Sequence, residues 1–369
     1  MSSVGRFPTY EAEERLRATG VELVPLHGTP APALPAHVVD AVASVLGRPM
    51  STPPARGLVS LREALAVELE QTTGRSVDAG SELLVTNGAM QALGVCFRAL
   101  LEPGDEVVVP APCFFFEGPI RAAGGIPVYV PGLPQDGWRW DREAIGRAIG
   151  PRTRALLLCN PGNPTGYVPD RDDVAAVVRA AQQAGVLVVT DEAYEASLWD
   201  GAELASAFGL AADVIVIRSL GKSLSMPQLR VGLLAGPAAR VEACARVLEW
   251  DCLRVGITAQ VAALAALTGS RGWLADVQAD MVAARAVALE VLDQAPELTA
   301  VTPRAAPFLF VGSTSGDPVA DDLAAVGLPV VDGFQFQAPG YARLPFGGAT
   351  EARPALERAL ARFVALRAA

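Results

Sequence analysis

The stretch DVIVIRSLGKSL, residues 213–224, decides the fold of this chain. Its continuous apolar run predicts a strand that is covered on both faces, as in a parallel sheet. A strand followed by Gly-Lys-Ser also resembles the end of a nucleotide-binding P-loop. That motif requires a glycine where the chain has Val216 and a helix where it has Pro227, so the P-loop is disfavoured. Lys222 is therefore either a solvated lysine at a strand end or a lysine that forms a Schiff base, and it is the only lysine in the chain.

The composition predicts a large, well-filled core under an acidic surface. Hydrophobic residues make up 51% of the 369 positions, and the net charge of −10 disfavours nucleic acid or an anionic membrane as the main partner. The five cysteines form no CxxC pair and there are two histidines, so we expect no metal site of the Cys/His type. The odd cysteine count and the absence of a leader-like N-terminus favour a cytoplasmic protein.

Short apolar runs between residues 81 and 236 predict a large α/β domain with a mainly parallel central sheet flanked by helices. The predicted strands are Leu83–Thr86, Glu106–Pro110, Pro127–Val130, Ala155–Cys159, Val186–Thr190, Val214–Arg218 and Val231–Ala235.

The two chain ends predict a second, smaller α+β domain. We expect helices at Pro35–Leu46, Pro237–Trp250, Thr258–Leu267, Arg271–Ala295 and from about Glu351, with strands near Phe308–Val311 and Tyr341–Leu344. The predicted divisions are residues 1–48 for the N-terminal arm and part of the small domain, 49–270 for the large domain, and 271–369 for the linking helix and C-terminal small domain.

Three predicted strands end in polar motifs. After the first strand, Asn87-Gly88 opens a helix whose N-terminus attracts phosphate, although it is equally an ordinary turn and cap. The loop NPGNPTG, residues 160–166, lies at the carboxyl edge of the sheet, where ligands bind, or is simply a rigid turn. In VLVVTDEAYE, Asp191 and Glu192 end a buried strand and need a cationic or hydrogen-bonding partner, which is either a protonated pyridine nitrogen or a nearby arginine.

Taken in order, these motifs resemble those of the class I/II aminotransferases, which are pyridoxal-phosphate enzymes of fold type I. The matching segments span residues 28–347 and read GAMQAL, AP(C)F, NPGNPTG, DEAY, SLGK with RVG, and RLPFG. The resemblance implies pyridoxal 5′-phosphate as cofactor and a homodimer with shared active sites.

The resemblance also implies the catalytic roles. Lys222 would form the internal aldimine with the cofactor and then act as general acid and base between Cα and C4′. Asp191 would keep the pyridine nitrogen protonated so that the ring acts as an electron sink. Asn163 and Tyr194 would hydrogen-bond the 3′ oxygen of the ring.

The remaining roles concern the phosphate, the ring face and the substrate. The residues implied for the phosphate are Gly88, Ala89, Met90, Ser219 and Arg230. Phe114 would stack on the ring or, alternatively, belong to the core with its two phenylalanine neighbours. Arg343 would hold the substrate α-carboxylate in a bidentate fork, with Asn163 and Gly28 beside it.

The segment TPPARGLVSLR, residues 52–62, departs from the family pattern. The family commonly has a tyrosine at the position of Thr52 and donates it across the dimer to the phosphate. A threonine side chain is several ångströms shorter, so we expect Arg56 to supply the charge instead. The alternative is that Arg56 is a solvated loop residue.

The predicted reaction is transamination between an L-amino acid and a 2-oxo acid. The first alternative is a lyase, cyclase or oxidase of specialised metabolism on the same fold, and a second is a non-catalytic sensor that binds the cofactor. The residues do not specify the substrate side chain.

Overall fold

A computed structural model describes residues 5–47 and 52–368. Within these ranges the helices are α1 (Pro8–Thr19), α2 (Ala36–Leu46), α3 (Val59–Thr73), α4 (Gly88–Leu100), α5 (Glu117–Ala122), α6 (Arg142–Ala148), α7 (Arg171–Gln183), α8 (Leu220–Ser223), α9 (Ala238–Cys252), α10 (Ile257–Thr268), α11 (Gly272–Leu292), α12 (Ala320–Ala325) and α13 (Ala349–Ala368). The strands are β1 (Leu83–Thr86), β2 (Glu106–Ala111), β3 (Ile126–Pro131), β4 (Thr153–Cys159), β5 (Leu187–Asp191), β6 (Val214–Arg218), β7 (Gly232–Ala235), β8 (Leu298–Ala300), β9 (Phe308–Ser313), β10 (Val331–Asp332) and β11 (Ala342–Pro345).

The large sheet has the order β1-β7-β6-β5-β4-β2-β3 and confirms the predicted mainly parallel α/β fold. Strand β7 is antiparallel to both of its neighbours, and every other adjacent pair is parallel. The carboxyl ends of β1, β6, β5 and β4 therefore meet at one edge. The β6–β7 connection, residues 219–231, begins at that edge and carries Lys222.

The continuous apolar runs reflect burial of the sheet on both faces. In β6, Val214 and Val216 pack into one core, and Ile215 and Ile217 pack into another on the opposite face. Side chains alternate along a strand, so each face must be apolar to be covered by helices.

The second sheet, of order β10-β11-β9-β8, is antiparallel and shares a core with both chain ends. Val24 and Leu26 from the N-terminal arm pack in the same cluster as Leu292 of α11 and Phe363 of α13. The sequence did not predict α1, which begins with Pro8 at its first turn. The proposed division at residues 48/49 lies outside the described residues, and the one at 270/271 stays a prediction.

A buried ion pair joins β5 and β6 behind the site edge. The Arg218 guanidinium donates to Glu192 Oε2 through Nη2 at 2.9 Å and Nε at 3.2 Å, and Nη1 donates to Thr72 Oγ1 at 2.8 Å. Ser206 Oγ donates to the other Glu192 oxygen at 2.6 Å. Glu192 thus has an arginine partner, one of the two alternatives raised for the carboxylates at this strand end.

Removing the arginine of this pair should destabilise the protein strongly. Arg218→Met leaves the Glu192 carboxylate buried and unpaired, which costs about 3–5 kcal/mol. The control Arg240→Met breaks a partly exposed pair with Asp213, worth about 0–1 kcal/mol. Urea unfolding followed by tryptophan fluorescence measures both losses, and equal losses would contradict the assignment.

Candidate active site

Side chains from both sheets converge at the carboxyl edge of the large sheet. Asp191 ends β5, Asn163 lies in the loop after β4, and Lys222 follows β6. Arg343, on β11 of the small sheet, donates through Nη1 to Asn163 Oδ1 at 3.1 Å. Residues that are far apart in sequence therefore meet at one place.

Asp191 is buried and has no cationic partner. Its Oδ1 accepts a hydrogen bond from the Ala193 N–H at 3.0 Å, and no Arg, Lys or His of residues 5–47 and 52–368 forms an ion pair with it. Burial raises the pKa of Asp191 from its ordinary value to about 7. Its sequence neighbour Glu192 takes Arg218, so a cation from outside the chain is the complement that Asp191 lacks.

Lys222 presents its amine beside Tyr194 and Thr29. Its Nζ donates to Thr29 Oγ1 at 2.7 Å and lies 5.5 Å from the centre of the Tyr194 ring. Burial, together with the positive charges of Arg343 and Arg230, lowers the pKa of Lys222 to about 8. A fraction of the amine is therefore neutral near pH 7 and is available as a nucleophile or base.

Arg343 lies in an aromatic enclosure. Its guanidinium carbon is 4.3 Å from the centre of the Phe308 ring, 4.9 Å from Phe336 and 5.6 Å from Phe115. The side chain is 8% exposed, and Nε is buried without a hydrogen-bond partner in the described part of the chain. Burial lowers the pKa of Arg343 to about 10. The site thus holds a desolvated cation with an unused donor, which is suited to a carboxylate.

The start of α4 packs closely against Arg230. Gly88 has φ +77°, and a Cβ there would lie 2.8 Å from Arg230 Nη2. A Cβ on Gly232 would lie 2.9 Å from the Ala89 nitrogen, so both glycines permit close approach of backbone and guanidinium. The first N–H groups of a helix lack intrahelical partners and attract anions, so a helix start beside an arginine suits a phosphate. Two more residues are predicted to bind the phosphate. Met90 lies in the same first turn of α4, and Ser219, which is buried, directly follows β6.

Phe114 and Gly28 lie on the aromatic side of the site. Phe114 is half-buried, whereas Phe115 and Phe116 are buried, and its ring centre is 4.7 Å from that of Phe115. Phe114 therefore packs at the border of the core, as the alternative expected, and its stacking on a cofactor ring stays a prediction. A Cβ on Gly28 would lie 3.3 Å from the Phe308 ring, so a larger residue there would require that ring to shift.

The structure does not support a free Arg56. Its guanidinium is hydrogen-bonded to Glu242 and donates to the Ser81 carbonyl at 3.1 Å. Within the chain the charge of Arg56 is thus paired, and its replacement of the family tyrosine across a dimer stays a prediction. Thr52 is exposed.

Sequence reasoning missed three residues at the site: Thr29, Phe308 and Phe336. Thr29 follows Gly28 in the LHGTP segment, and this position beside a predicted site residue could have indicated it. The two phenylalanines lie in or near strands of the small sheet, where the sequence pattern predicts that an apolar residue belongs to the core. In residues 5–47 and 52–368, no group of three His, Cys, Asp or Glu side chains could hold a metal ion, and no helix could cross a membrane.

Neutralising Asp191 should stabilise the cofactor-free protein at high pH. The pKa of Asp191 is higher in the folded protein than in the unfolded chain, so the folded protein binds this proton more tightly. The resulting contribution to folding stability is fully present at acidic pH and is lost as pH rises through about 7. Asp191→Asn should therefore gain stability over the wild type as pH rises, on the order of 4 kcal/mol above that pKa. Urea unfolding across this range tests it, with Asp136→Asn as an exposed control. A difference independent of pH would contradict the uncompensated burial.

Known proteins resemble this chain in sequence and in fold. The family model described as aminotransferase class I and II matches residues 30–363. The aspartate/prephenate aminotransferase of Thermus thermophilus is 36% identical over 93% of this chain and 91% of its own length, and the probable enzyme of Thermus aquaticus is also 36% identical, over 93% and 92%. A solved structure, the Thermus thermophilus aspartate aminotransferase with maleate, superposes with a TM-score of 0.92 at 34% identity, covering 98% of this chain and 97% of that one. The chain therefore belongs to the class I and II aminotransferase family and is an aminotransferase.

Proposed function

We propose that the enzyme binds pyridoxal 5′-phosphate at this site and moves an amino group between an L-amino acid and a 2-oxo acid. The observation that carries the proposal is the group of three uncompensated charges: the Asp191 carboxyl, the Lys222 amine and the Arg343 guanidinium. Each needs a complementary group from outside the chain. A protonated pyridine nitrogen, an aldehyde and a substrate carboxylate are such complements.

The residues present fit the cofactor. Asp191 would hold the ring nitrogen, with Asn163 and Tyr194 near the 3′ oxygen and Phe114 against the ring face. The phosphate would lie at the start of α4, with contacts from Gly88, Ala89, Met90, Ser219 and Arg230. When bound, the cofactor supplies a carbonyl carbon for the amino group and a ring that delocalises the electron pair left at Cα.

The side chains of the protein then orient the substrate and move its proton. Arg343 binds the α-carboxylate through its unused donors, and Gly28 lets this segment approach closely. The Asn163 oxygen that accepts from Arg343 fixes the plane of the guanidinium. The Lys222 amine, with its lowered pKa, would act as the base that takes the proton from Cα and as the acid that delivers it to C4′.

The names of the two Thermus relatives indicate the substrate class. Both Thermus proteins are named for aspartate and prephenate, so these amino-group donors and acceptors belong first in a substrate panel. The lyase, cyclase and oxidase alternatives have less support because the relatives are named as aminotransferases. A non-catalytic sensor has none, since the uncompensated groups suit turnover.

We further propose a cytoplasmic homodimer with shared active sites and the domain division 1–48, 49–270 and 271–369. Its support is the family resemblance. Sedimentation measures the assembly directly.

Borohydride reduction of the protein loaded with pyridoxal phosphate should place one cofactor adduct on Lys222. Because the chain has no other lysine, mass spectrometry of the digest gives an unambiguous site. The control Lys222→Ala is a lysine-free chain and should carry no adduct. An adduct that persists in this control would contradict the proposal.

Arg343→Met should lower kcat/KM for carboxylate substrates roughly ten- to hundredfold, because a charge-assisted hydrogen bond contributes about 1.5–3 kcal/mol. The cofactor should still bind, which its absorbance reports. Arg304→Met removes an exposed arginine and is the matched control. Equal kcat/KM values in both variants would move the carboxylate site elsewhere.

A further inference from the structure

The Thr29 hydroxyl holds the Lys222 amine. Thr29 Oγ1 accepts from Lys222 Nζ at 2.7 Å, and the amine held in this way lies 5.5 Å from the centre of the Tyr194 ring. The family resemblance implies no role for Thr29.

We propose that Thr29 is a positioning residue that holds the free Lys222 amine toward the reacting carbon whenever that amine is not bonded to the cofactor. The inference rests on the proposed function, because it concerns the amine that the function uses. In amino transfer the amine must be released and must then act as a base from a defined position.

A cavity makes such an anchor necessary. Lys222 and Thr29 both line a cavity of about 400 Å³, together with Glu195, Ser223 and Gln278. Lysine has a long, flexible side chain, so the free amine has room to turn away from Tyr194 and into this space. The Glu195 Oε2 atom there is buried without a partner in the described part of the chain, and it offers the amine a competing acceptor.

The backbone fixes the position of Thr29. The His27 N–H donates to the Gly347 carbonyl at 2.9 Å, so this segment is tied to the chain just after β11. Strand β11 carries Arg343. The anchor for the amine and the cation for the substrate carboxylate are thus held by one connected part of the small sheet.

A substitution at Thr29 leaves the titratable and charged groups around the amine in place. Arg343 and Arg230 lower the pKa of Lys222, and the Tyr194 phenol stays neutral because burial raises its pKa. Burial also raises the pKa of Glu195, to about 8. The ammonium form donates to Thr29 Oγ1, so loss of that acceptor disfavours the charged form.

The test uses the full-length, cofactor-free protein labelled with 13C-lysine, in which one residue gives all lysine signals. The titration midpoint of the Lys222 Cε signal should fall by roughly one pH unit in Thr29→Val, the worth of one hydrogen bond to a charged group. Thr29→Ser keeps the hydroxyl and should titrate as the wild type does. Thr29→Ala is the second hydroxyl-free variant if the valine protein does not fold.

Three outcomes decide the question. A lowered midpoint in the hydroxyl-free variants with rescue by serine supports the anchor. Equal midpoints in all proteins overturn it, and so does an equal fall in the serine and valine variants, because the hydroxyl is then not the cause. The borohydride experiment judges the cofactor site separately, so a failure of one proposal is distinguishable from a failure of the other.

Discussion

The uncompensated burial of the Asp191 carboxylate is the constraint on which the rest of the site depends. A buried carboxylate without a cation is unfavourable. The next residue, Glu192, shows the usual solution, which is an arginine partner. Glu192 takes Arg218, Ser206 and Thr72 into one satisfied network on its side of the sheet. In the described part of the chain, the hydrogen bond recorded for the Asp191 carboxylate comes from the Ala193 backbone N–H. The charged form of Asp191 therefore becomes stable when a ligand supplies a cation.

Two more charges in the site lack a counter-ion from the described chain, and each is maintained by packing. The phenylalanine rings around Arg343 exclude water from the guanidinium and contribute cation–π attraction in its place. Lys222 lies close enough to Arg343 and Arg230 for their charges to favour its neutral form. The two sheets must be correctly packed for this, because Arg343 comes from the small sheet and the lysine from the large one. Fold and reactivity are thus linked through the contact between the sheets.

Local patterns predicted the parts of the site that follow strand ends. Strand β6 has the predicted bounds, and Lys222, Asp191 and Asn163 lie at the predicted edge because a parallel sheet brings its carboxyl ends together. The strand-end pattern could not say which of Asp191 and Glu192 takes the arginine, since both end the same strand. The structure separates them by a contact with β6, which is distant in sequence.

Long-range contacts explain what the sequence did not predict. Thr29 is 193 positions from Lys222, and no local pattern connects them. Phe308 reads as an ordinary core residue of a strand, and only the approach of Arg343 makes it part of the site. Arg56 was favoured from its position in the loop, but its pairing with Glu242 depends on the packing of α9.

The most direct test of the account is the protonation state of the cofactor ring nitrogen, measured by 15N NMR on enzyme loaded with 15N-labelled pyridoxal phosphate. If Asp191 supplies the missing counter-charge, the nitrogen stays protonated across the neutral and mildly alkaline range in the wild type and loses its proton in Asp191→Ala. A nitrogen that has the same protonation state in both proteins would contradict the central claim.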